Sequence, residues 1–96
     1  MKTILKTTLF DAADYLEDPE DIAFYLEEAF ATEDPTYISH ALGTVARAKG
    51  MSEVARKTGL SRESLYKALS AKGNPEFATI LKVMRALDLK ITAKAG

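Results

Sequence analysis

Cysteine is missing from this chain, which excludes disulfides, thiolate zinc sites and thiol nucleophiles at the outset and leaves the redox compartment open. Histidine occurs once, at His40. No partners stand around it at the spacing of a metal quartet or a nucleophile relay, so it reads as a structural residue. No apolar run comes near the roughly 20 residues that span a bilayer. The threonines and lysines between Met1 and Phe10 are wrong for the apolar core of a signal peptide. A cytoplasmic chain without a membrane segment is expected. Proline is scarce, at three residues, and nothing is repeated or of low complexity. What is present, 96 residues that are 47% hydrophobic and 28% charged, suits one compact folded domain with a short appended segment and argues against a two-domain enzyme.

The net charge of −1 conceals a division along the chain. From Met1 to His40 two lysines stand against ten carboxylates, a net of −8. From Ala41 onward eleven basic residues stand against four acidic ones, a net of +7. Such asymmetry suggests two surfaces with different partners, although carboxylates also serve simply to solvate exposed helix faces. They recur at helix-surface spacings here, with no apolar pocket to separate their pKa values. No enzymatic activity is expected, and no cofactor is implied.

Helix signals dominate. Thr8 and Asp11 have capping-box spacing and open a short helix over Leu9 to Leu16. Asp18-Pro19 and Asp34-Pro35 each combine a side-chain cap with a proline where no N–H is needed. Ile22, Leu26, Ala29 and Phe30 follow the first at helical spacing, and Ile38, Ala41, Leu42, Val45 and Ala48 follow the second, ending near Gly50. Ser52 and Ser61 are the next caps, with Gly59 between them, so two short helices are expected over Glu53 to Thr58 and Arg62 to Ser70. Gly73 and Asn74-Pro75 close that unit and cap a last helix, whose buried face is expected to be Phe77, Ile80, Leu81, Met84 and Leu87. Residues Leu89 to Ala93 alternate apolar and polar, which fits a short strand whose partner could be a second subunit. The aromatics Phe10, Tyr15, Phe24, Tyr25 and Phe30 of the acidic segment serve either the core or a partner-facing patch, with the core favoured for most.

Met51 to Ser70 carries the functional signal. Ala55 lies four residues before Gly59, so a small side chain permits close crossing of two helices and glycine permits the positive φ of the turn between them. Val54, Leu60, Leu65 and Ala68 supply a shared core, leaving Ser61, Arg62, Glu63, Ser64 and Lys67 on the outward face or the leading end of the second helix. The stretch from Ile38 to Leu87 resembles the Cro/C1-type (lambda-repressor-like) helix-turn-helix. Thr58 departs from that pattern, where an apolar residue is usual, and implies looser packing of the first motif helix. Over nearly the whole chain the sequence resembles the addiction-module antidote proteins, a HigA-like antitoxin family. The residues carrying this are Phe10 to Leu16, Ala41-Leu42-Gly43, Gly59 to Ser70, Gly73 to Phe77 and Leu81 to Leu87.

The resemblance implies an all-α fold: a helix-turn-helix domain over residues 35–96, preceded by an acidic helical segment over residues 1–34 for toxin binding or dimerisation. It also implies an antitoxin that silences a basic RelE/ParE-like toxin and represses its own operon as a homodimer on double-stranded operator DNA. A stand-alone prophage-type repressor with no toxin partner fits the same motif. In either case Arg62 and Lys67 are the candidates for guanine O6 and N7. Ser61 and Ser64 can bond bases or phosphates, while Ser61 also has a structural role as helix cap. Glu63 could accept from a cytosine amino group or simply favour the positive end of its helix. Ser52 can meet phosphate at the start of the preceding helix, and Tyr66, Lys72 and Asn74 lie near enough in sequence to reach flanking phosphates.

Overall fold

A computed structural model of the chain describes Leu16 and residues 18–96. Five helices and no strand occupy the described residues: α1 Pro19–Ala31, α2 Pro35–Lys49, α3 Met51–Thr58, α4 Arg62–Ala68 and α5 Phe77–Ala86. The helix expected over Leu9 to Leu16 and its Thr8 cap lie outside the described residues, except for Leu16, which is buried in the core.

The two Asp-Pro signals act as their chemistry dictates. Asp18 accepts from the Asp21 amide at 2.9 Å, with Pro19 opening α1. Asp34 accepts from the amides of Thr36 at 3.0 Å and Tyr37 at 3.4 Å, with Pro35 opening α2. Each cap contributes about 0.5–2 kcal/mol. Between them Thr32 ties the turn together: its hydroxyl donates to the Ala29 carbonyl and accepts from the Asp34 amide.

α2 is the spine. Every residue from Ala41 to Val45, and Ala46 after them, is buried. Because successive residues advance about 100° around a helix, six in a row point in every direction, and α2 is enclosed by α1, α3 and α4. An amphipathic reading therefore recovers only part of it. Gly43 is the point of closest approach, since a Cβ built there would lie 2.3 Å from the Leu69 carbonyl oxygen just beyond α4. Ile22, Leu26 and Ala29 of α1 join Leu42, Val45, Val54, Leu65, Val83 and Leu87 in a single core. Each large side chain buried there contributes about 1.5–3 kcal/mol, so the acidic helix is fastened to the same body as the basic half.

Three local expectations are corrected. Ser52 does not cap α3; Gly50, at φ 102° and ψ 113°, occupies the cap, and Ser52 is the second residue of a helix that begins at Met51. Asn74 does not cap α5, because Glu76 is the flanking residue and no side chain bonds the first amides. The buried face of α5 is also rotated toward Val83 and Ala86, leaving Phe77 64% and Leu81 41% exposed while Met84 and Leu87 stay buried. The helix has a broader apolar arc than the domain covers.

The expected strand over residues 89–93 does not form in the single chain. Asp88 turns the backbone at φ 62° and the Leu89 amide returns to the Met84 carbonyl at 2.9 Å, closing α5. A strand needs a neighbouring ladder, and no described segment of this chain supplies one. No described helix is long and apolar enough to cross a membrane.

Candidate nucleic-acid interface

α3 and α4 are two short helices joined by three residues, and the joint is built from the residues singled out in the sequence. Gly59 adopts the left-handed conformation at φ 78° and ψ 10°, and its amide bonds the Ala55 carbonyl at 2.9 Å. An L side chain is strained there. Thr58, where an apolar residue was the usual pattern, has a role of its own: its hydroxyl donates to the Ala55 carbonyl at 3.3 Å and accepts from the Leu60 amide at 3.2 Å. The side chain thus satisfies a turn amide that the helix ladder leaves without a partner.

Ser61 caps α4, accepting from the Ser64 amide at 3.0 Å and donating to the Ser64 hydroxyl at 2.9 Å. Its structural role is therefore realised. Leu65, fully buried, and Leu69 just past the helix end pin α4 to the core one turn apart. Everything else on the helix follows from those anchors. Arg62, Glu63, Ser64, Tyr66 and Lys67 are all exposed, which is the outward presentation expected for the polar side.

Charge on this surface is arranged unevenly. On α3, Glu53 accepts from Arg56 at 2.6 Å and lies 3.6 Å from Lys57. The Arg56 hydrogen bond, reinforced by the charges of Arg56 and Lys57, holds the Glu53 carboxyl below its ordinary value. On α4, neither Arg62 nor Lys67 has an ion pair among the described residues. Two cations free to donate to an external acceptor therefore flank the start and end of one short helix. Ser52, Lys72 and Asn74 are likewise exposed, in the first turn of α3 and in the connection after α4. An open cavity of about 180 Å³ adjoins α4, lined in part by His40, Arg47, Tyr66 and Ser70. Sequence reading had not placed His40 or Arg47 there, because they become neighbours of Tyr66 only through the close approach at Gly43.

A family model described as "Probable addiction module antidote protein" matches residues 6–95. The chain belongs to that antidote family. A relative from Haemophilus influenzae, described only as an uncharacterized protein, is 52% identical over 81 residues, which is 84% of each chain. No solved structure matches. An antidote of an addiction module has, in general, a toxin as its partner. The family match includes both the acidic α1 and the α3–α4 pair.

Proposed function

We propose that this antidote is the antitoxin of a type II pair, which neutralises a basic RelE/ParE-like toxin in the cytoplasm and represses its own operon. It works by binding alone and catalyses nothing. α3 and α4 form a Cro/C1-type helix-turn-helix with α4 entering the major groove. The observation that carries this reading is the exposed polar side of α4, held outward by Leu65 and Leu69 with Arg62 and Lys67 unpaired within the described chain. A seven-residue helix reads only a half-site, so two copies would place two such helices about 34 Å apart on a palindrome.

In this docking Arg62 and Lys67 donate to base edges and Ser64 to a base or phosphate. Ser52, Tyr66, Lys72 and Asn74 contact the flanking backbone. Glu63 lies in the first turn of α4, where its charge suits the helix dipole. The test is electrophoretic retention of the DNA upstream of the protein's own gene across a salt series. Arg62→Ala and Lys67→Ala are each expected to lose about 1–3 kcal/mol of specific binding. Unchanged operator binding in both variants would remove α4 from the interface.

A further inference from the structure

α1 turns an apolar side chain directly away from the core that fastens it. Phe24 is 63% exposed, on the side opposite the buried Ile22, Leu26 and Ala29. Residues three and four apart share a helix face, which makes Glu20, Asp21, Glu27 and Glu28 its four neighbours on α1, and all four are exposed. Phe30, 36% exposed, lies three residues beyond Glu27 toward one flank. Six carboxylates and no lysine, arginine or histidine occur between Pro19 and Ser39. Solvation accounts for the carboxylates; the ring at their centre adds apolar area that burial against a partner would remove from water.

We propose that the outward face of α1 is the docking surface for a cationic protein, with Phe24 as the buried anchor and Glu20, Asp21, Glu27 and Glu28 as its acidic rim. An aromatic anchor inside a charged rim is the usual division of labour in a protein interface: the ring supplies most of the affinity, and the charges supply steering and selectivity. The sign of the rim selects the partner. A basic chain is drawn in and nucleic acid is repelled, so this face and the cationic α4 do not compete for one ligand. The inference rests on the antitoxin reading and assigns a place to its toxin.

The experiment uses the full chain and the protein encoded by the neighbouring reading frame, co-expressed and then titrated by calorimetry. Phe24→Ala is expected to weaken the complex at least about 30-fold, the factor corresponding to a hot-spot residue. The Glu27→Lys, Glu28→Lys double variant is expected to slow association and to flatten its dependence on salt. All three side chains are exposed, so helical content, and operator retention at physiological salt where long-range charge effects are screened, stay at wild-type levels and report folding independently. If the wild type binds and Phe24→Ala binds equally well, the docking surface is wrong while the antitoxin reading stands. If the wild type does not bind, both fall.

Discussion

Replacing Gly43 by alanine is the most direct probe of how α4 is held. The added Cβ would stand 2.3 Å from the Leu69 carbonyl oxygen and 3.4 Å from the Leu69 Cβ. Relief to even 3.0 Å requires Leu69 to retreat by about 0.7 Å, and the atom in the way is backbone, which cannot rotate aside. Overpacking of this kind costs about 1–3 kcal/mol. Against it, alanine in a helix interior is favoured over glycine by about 0.5–1 kcal/mol. The clash prevails, for a net loss of about 1–2 kcal/mol in urea unfolding, or roughly 5–15 °C in Tm for a domain of this size. Leu69 is one of the two residues anchoring α4, so operator affinity should fall further than the stability loss explains. Stability equal to or above wild type would show that α2 and α4 are not in contact through Gly43, and the account of how the polar side of α4 is presented would be wrong.

Gly59→Ala should cost about 1–2 kcal/mol of stability because φ is 78°, and Gly59→Asn should recover part of that, since asparagine tolerates the left-handed region; equal losses in chemical denaturation would contradict a conformational origin. Ser61→Ala should lose about 0.5–2 kcal/mol through the missing cap, whereas Ser61→Asp should keep the cap and the fold yet weaken DNA retention by placing a carboxylate toward phosphate; undiminished retention by Ser61→Asp would place the start of α4 away from the duplex. The lowered pKa of Glu53 means that its contribution to stability is present above the unfolded carboxylate value and disappears as pH falls through the folded one. At low salt the acid limb of the stability profile should therefore be shallower in Glu53→Gln than in wild type, and coincident limbs would show that the Arg56 pair is not formed in solution.

Much of this arrangement was legible in the chain because its signals are local. Asp18-Pro19, Asp34-Pro35, Gly59 and Ser61 each act within one turn, and each forms the cap or turn that its chemistry allows. The outward residues of α4 were legible for the same reason, since fixing Leu65 inward fixes the others. What escaped depends on contacts distant in sequence. α5 has enough apolar residues for two faces, and only its packing against α3 decides that Val83 and Ala86 go inside while Phe77 and Leu81 stay out. The buried run from Ala41 to Ala46 looked like a single stripe because nothing local says that α2 is enclosed on several sides. Phe24 could serve the core or a partner-facing patch as far as sequence goes, since apolar type alone does not decide burial, and it is exposed. A strand over residues 89–93 was suggested by alternation, which describes side-chain pattern and supplies no pairing partner.

The division of charge acquires a physical meaning from the position of α2. The acidic helix packs on α2, and α2 packs on both α3 and α4, so the proposed toxin face and DNA face belong to one packed body with shared core residues such as Leu42 and Val45. Two ligands of opposite charge on one small body would screen each other's fields if their sites overlapped. With α2 interposed, each proposed site keeps its own sign. Neutralising the α1 rim should therefore change operator affinity only through long-range electrostatics, an effect that falls away as the Debye length shrinks to about 8 Å at physiological salt. If Glu27→Gln with Glu28→Gln altered operator affinity equally at low and physiological salt, the two faces would have to be coupled through the packing of α2 itself.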